Sequence, residues 1–154
     1  MRNIFLIIFL VCGAAGSSLA IKAQETKTVI NDKAAKTKLL GRHLFSLQWI
    51  GWDYFGNATV VERHGVLHVT GKQKSRKDAD FVTIDGWITE IDKFQFKFDG
   101  KIVTTVSFIN DGKECVREGE MTFKITGKRK YWRLQEMLNP CTNIETDYVD
   151  IYFR

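Results

Sequence analysis

Two clusters of residues carry side chains suited to recognition. Trp49, Trp52, Tyr54 and Phe55 are gathered in the segment QWIGWDYFGN. Flat rings with one polar atom stack on sugar rings or clamp a peptide. Trp52 and Tyr54 are two apart and share a face of an extended chain, with Trp49 on the opposite parity unless Gly51 holds a bulge. The competing expectation is that these rings fill the core, because a tryptophan buries a large area. The same ambiguity applies to Trp87 and Trp132.

The second cluster is Lys128-Arg129-Lys130-Tyr131-Trp132-Arg133. Cations interleaved with rings can hold an anionic polymer while the rings stack on its units. On a strand, Arg129, Tyr131 and Arg133 share one face, and Trp132 and Leu134 take the other. The competing expectation is a solvated turn feeding an amphipathic strand. Together the clusters nominate Trp49, Trp52, Tyr54, Lys128, Arg129, Tyr131, Trp132 and Arg133 as ligand-binding candidates.

Catalytic chemistry has weaker support. Glu90 and Asp92, and Glu118 and Glu120, are spaced to share strand faces, and a glycosidase needs two carboxylates across a cleft. Charged residues on the wet face of an antiparallel sheet are the ordinary expectation. His64 and His68 flank a turn at Gly65, where a spacing of four does not bring rings together, and His43 is distant in sequence. Ser46, Ser75 and Ser107 lack a nucleophile-elbow context. Asp111, Glu114, Asp147 and Asp150 do not form the dense acidic run of a calcium loop. No catalytic residue, metal ligand or cofactor is therefore assigned.

Export follows from the N-terminus. Arg2, the apolar run Ile4–Val11 and the small residues up to Ala20 and Ala23 have the layout of a signal peptide, read as residues 1–23. The run is too short for a membrane anchor, and the mature chain is expected to carry none. The leader takes Cys12 with it and leaves Cys115 and Cys141, an even pair that predicts one disulfide in an oxidising compartment. The chain has 23 basic and 18 acidic residues, for a net charge of +5. Arg2 and Lys22 lie in the leader, which has no acid, so the mature charge is +3 (21 against 18). That mild charge and the expected secreted or periplasmic location, with outer-surface association open, give no reason to expect a nucleic-acid partner.

The elements that must position these residues read as strands. Residues 24–40 are polar and lysine-rich, an arm that is flexible or carries a short helix over Val29 to Leu40. From residue 41 to 154 short alternating runs are separated by Gly, Asn and Asp. Arg63-His64-Gly65 marks one turn, and Asp85-Gly86 and Asp99-Gly100 read as two more, in the hairpin style. Phe94, Phe96 and Phe98 alternate, as do Met121, Phe123 and Ile125, and Tyr148, Asp150 and Tyr152. The expectation is one all-β domain of eight to ten short strands, an antiparallel barrel or a two-sheet sandwich.

The resulting functional expectation is a non-catalytic binding module for a glycan, a lipid or a peptide. The alternatives are a structural or inhibitory domain docking on an extracellular protein through a loop, and a small glycan hydrolase.

Overall fold

The computed structural model describes residues 26–154. The expected leader, Cys12 included, lies outside the described residues. Strand β1 (Val29–Ile30) and helix α1 (Lys33–Leu39) come first. Eight strands follow in a meander: β2 (Gly41–Leu47), β3 (Gly56–Arg63), β4 (Val66–Lys74), β5 (Phe81–Ile91), β6 (Gln95–Thr105), β7 (Cys115–Lys124), β8 (Tyr131–Leu134) and β9 (Val149–Tyr152). Each pairs antiparallel with the next, and β9 pairs back onto β2, so the sheet closes into an eight-stranded barrel. Closure leaves no edge strand within β2–β9. Of the two architectures expected, the chain adopts the barrel.

Period-two alternation decides the interior. Phe45 and Leu47, Val82 and Ile84, Phe96 and Phe98, Met121 and Phe123, and Val149 and Ile151 all point inward and are buried. Phe96 stacks on Phe123 at 5.0 Å between centroids, and Phe98 meets Phe123 edge-on at 6.1 Å. Side chains thus fill the barrel. Phe94, expected on the same face as Phe96 and Phe98, precedes β6 in the turn and is 56% exposed.

α1 caps one end. The Asp32 carboxylate accepts the Ala35 N–H at 2.7 Å, and Lys36 and Lys38 complement the dipole in the last turn. Ala35 and Leu39, one turn apart, are buried against the core. The N-terminal arm is strapped on by β1, which runs parallel to β5 (Val29 opposite Glu90). Beside it, the Thr28 hydroxyl donates to the Ile88 carbonyl and accepts the Leu67 N–H, joining β4 and β5 where they part. At the opposite end lie the connections 48–55, 75–80, 106–114 and 135–148, which form a mouth.

Two expected turns are not turns. Asp85-Gly86 and Asp99-Gly100 sit inside β5 and β6, with Gly86 directly opposite Gly100. The physical reason is the ring of Phe98: a Cβ on either glycine would come within 2.7 Å of it, and within 2.4 Å of a carbonyl oxygen across the ladder. The glycines admit a close approach rather than a reversal. The turn at His64-Gly65 is real, with φ of 54° and 83°, as a two-residue hairpin of the mirror-image type requires.

Candidate functional site

The outward positions of β2, β9 and β8 build an aromatic band. Register places Ser46, Asp150 and Arg133 side by side, and Tyr131 opposite Tyr152. Asp150 is fully buried although it faces outward, because the band covers it. Arg133 grips it in a fork, Nε to Oδ1 at 2.7 Å and Nη2 to Oδ2 at 2.6 Å. That bond holds the guanidinium even further above its usual value. The same guanidinium lies 4.0 Å from the Tyr148 ring centre and 5.0 Å from that of Tyr131.

Tyr131 meets Tyr152 at 5.2 Å, Tyr152 meets Phe55 at 5.1 Å, and Phe55 meets Trp52 at 6.4 Å. The rings thus run from the base of the barrel, where Arg129 approaches Tyr131 at 5.7 Å, to the mouth. There Tyr54 stacks beneath Arg76 at 3.8 Å. Burial pushes the Tyr152 phenol above its usual value, and a hydrogen bond from Ser46 partly opposes this.

The eight candidate residues divide by location. Trp52 (52%) and Tyr54 (42%) are exposed at the mouth. Tyr131 and Arg133 lie half-buried in the band, and Lys128 and Arg129 are exposed in the turn beyond its base. Among the described residues Lys128, Arg129 and Lys130 have no ion-pair partner. Trp132 lies on the inner face, 2% exposed, against Phe153 at 4.5 Å and Phe96 at 6.0 Å. It belongs to the core and is removed from the candidate surface. Trp49 is half-buried, and its Nε1–H donates to Asp147 at 2.8 Å, so it serves to close the mouth. Tyr152, which with Phe55 of the first cluster joins the two, was not among the candidates. The alternation Tyr148–Asp150–Tyr152 was the available signal.

The mouth is closed by a buried polar cluster. Arg117 bonds Asp147 at 2.7 Å and reaches the carbonyls of Glu136 and Leu138. Asn139 donates to the same carboxylate. Cys115 and Cys141 form the expected disulfide, with Cα atoms 5.9 Å apart, which ties the 135–148 connection to β7.

Three of the four carboxylates considered for catalysis, Glu90, Asp92 and Glu118, are engaged on the wet wall. Glu90 and Asp92 share the Asn31 amide, Glu90 pairs with Lys97 at 3.2 Å, and Glu118 pairs with Lys101 at 3.1 Å. The histidines are dispersed. His43 is buried at the base with its ring nitrogens 2.9 and 2.7 Å from the Tyr152 and Leu39 carbonyls, His68 is on the outer wall, and His64 is in the turn. Among the described residues no three His, Cys, Asp or Glu side chains gather as a metal site. No helix among them is long and apolar enough to cross a membrane. The outer wall carries Lys72, Asp85, Asp99, Lys101, Glu118 and Glu120, a surface suited to water rather than lipid.

Residues 27–153, nearly the whole described chain, match the sequence pattern of the PM1083 family. The chain belongs to the PM1083 family. Similarity to the uncharacterised protein PM1083 of Pasteurella multocida (strain Pm70) agrees, at 46% identity over 118 residues, 77% of this chain and 75% of that protein. No solved structure matches. The PM1083 match covers β1, α1 and the full barrel, so the band, the mouth cluster and the disulfide all fall within the family's extent.

Proposed function

We propose that this chain is an exported, non-catalytic binding module whose ligand is an anionic glycan laid along the aromatic band. One observation carries the reading: the ladder Trp52–Phe55–Tyr152–Tyr131 leads to a turn with three unpaired cations, Lys128, Arg129 and Lys130. Rings supply stacking faces, and the cations supply attraction for sulfate or carboxylate groups. The filled barrel favours an external ligand over a lipid carried inside. The leader and the disulfide support a secreted or periplasmic location.

The engaged state of Glu90 and Glu118 supports binding over glycan hydrolysis. A protein-docking reading has one specific observation in its favour, the exposure of Phe108 and Ile144 at the mouth.

The test is affinity electrophoresis of the mature protein through gels containing heparin or a neutral glucan. The expected result is retardation by heparin, lost in the double variant Tyr131→Ala/Tyr152→Ala and in Lys128→Ala/Arg129→Ala/Lys130→Ala. Retardation lost only in the triple variant would reduce the site to unspecific charge. Equal retardation of all three proteins would place binding elsewhere.

A further inference from the structure

The base of the barrel holds a titratable side chain that the binding surface does not use. His43 points inward from β2 and is 2% exposed. Its Nδ1 lies 2.9 Å from the Tyr152 carbonyl oxygen of β9, and its Nε2 lies 2.7 Å from the Leu39 carbonyl oxygen at the end of α1. The Trp132 ring packs edge-on at 5.8 Å between centroids, and Ala58 of β3 is the neighbour across the ladder. Both contacts have hydrogen-bond length in a site closed to water.

Both partners are acceptors. A carbonyl oxygen has no proton to give, and a neutral imidazole has one N–H and one lone pair. Either neutral tautomer would satisfy one carbonyl and set a lone pair against the other. Only the imidazolium donates from both nitrogens. The local structure leaves both carbonyls to the ring. Leu39 is the last residue of α1, where carbonyls lack a donor within the helix and the negative end of the dipole favours a cation. The β2–β9 ladder ends at Phe45 and Ile151, so the Tyr152 carbonyl lies one residue beyond it.

The charged groups around the site offer the ring no other partner. On α1, Lys36 pairs with Glu62 of β3, and Lys38 lies over the Phe153 ring. Arg42 of β2 bonds Asn57 of β3. On the outer face, Arg133 of β8 is forked onto Asp150 of β9, and the Tyr131 and Tyr152 phenols lie beside them. Arg154 lies beside Gly41, and Lys130 accepts the Phe153 N–H through its carbonyl. Lys38, Lys130 and Arg154 are exposed, so water weakens their repulsion of a charged ring. No ion pair among the described residues includes His43.

We infer that His43 is held as an imidazolium and works as a proton-dependent latch, joining the end of α1 to β9 through two donated hydrogen bonds. Loss of the ring proton leaves one carbonyl against a lone pair in a dry site and opens one side of the latch. The folded state uses a proton that the unfolded chain does not need. Its contribution to stability is therefore present at acid pH and is lost as pH rises. α1 carries Ala35 and Leu39 onto the core, so an open latch loosens the cap on the base while the eight strands stay closed. The inference does not rest on the glycan reading, because it concerns the inward face of β2.

The test compares melting temperatures of the mature protein and of His43→Leu from about pH 5 to 8, the range in which an imidazole ordinarily changes charge. Other titrating groups cancel in the difference, native minus variant. That difference is expected to fall by at least about 3 °C from the acid end to the alkaline end. A constant difference would overturn the proposal. So would one that grows with pH, the mark of a ring buried neutral that must be charged at acid pH. Long-range 15N–1H spectra of the native protein give a second readout that holds even where His43→Leu does not fold. At about pH 6 both His43 ring nitrogens are expected to be of the protonated type. A pyridine-type His43 nitrogen at that pH would overturn the latch.

Discussion

The two walls of this barrel obey the same alternation rule and use it in opposite ways. On β8–β9–β2 one outward pair is neutralised within itself: Arg133 is forked onto a buried Asp150 and covered by Tyr131 and Tyr148. On β5–β6–β7 the outward pair Asp99 and Glu120 is left facing itself beside an exposed Trp87. The first wall presents rings pre-positioned on a satisfied ionic base. The second presents two like charges facing each other beside an exposed indole. Removal of one member of the Arg133–Asp150 pair loses stability, whereas removal of one of two facing like charges gains it.

The largest effect expected from that contrast is at Asp150. Asp150→Ala leaves Arg133 half-buried without its partner, and loss of about 3–5 kcal/mol is expected from the breaking of a buried pair. Chemical denaturation of the purified protein reads this directly. A loss below about 1 kcal/mol would mean that the fork contributes no more than a surface salt bridge.

Gly86→Ala comes next and tests the close approach of β5 to β6 beneath the second wall. Its Cβ would lie 2.4 Å from the Asp99 carbonyl oxygen and 2.7 Å from the Phe98 ring. Overpacking of this kind costs about 1–3 kcal/mol. Gly119→Ala meets no atom within 4 Å, but φ is +105° there, so its cost would be backbone strain alone.

The mirror of the Asp150 prediction is smaller and opposite in sign. Asp99→Asn should stabilise by about 0.5 kcal/mol through relief of the cross-strand repulsion. Thermal melts of the two variants in parallel would compare the walls in one experiment. Destabilisation by both would erase the distinction.

The smallest effect concerns pH. Burial raises the Tyr152 phenol above its usual value of about 10, so the folded state keeps the proton at pH values where the unfolded chain releases it. The stability tied to that proton is complete below pH ~10 and is lost as pH rises through the raised value. Melting temperatures between pH 9 and 11 should therefore fall more for the native protein than for Tyr152→Phe.

Much of this architecture was legible because period-two alternation is a local signal. Phe96 and Phe98 point inward as read, Tyr131 and Arg133 share a face apart from Trp132, and the parity of Tyr148, Asp150 and Tyr152 is as written in the sequence. The pairing of Cys115 with Cys141 followed from their being the last two cysteines. The Asp-Gly pairs misled because the same dipeptide serves a turn and a close backbone approach, and only the register of β5 against β6, which sets Gly86 opposite Gly100, distinguishes them. The contacts that unite the candidate surface were hidden for a related reason. Phe55 meets Tyr152 across the β2–β9 closure, a pairing between residues almost a hundred positions apart that no local pattern announces. The juxtaposition of Asp99 and Glu120 likewise depends on the register of β6 and β7.

The most direct test of the binding reading is a footprint on the mature protein, with a heparin hexasaccharide as probe and amide chemical shifts as the readout. Perturbations are expected at residues 128–133, Tyr152 and the Trp52–Phe55 connection, with the β5–β6–β7 wall and the barrel interior unchanged. Shifts centred on Trp87, or no saturable shifts at all, would contradict the binding reading.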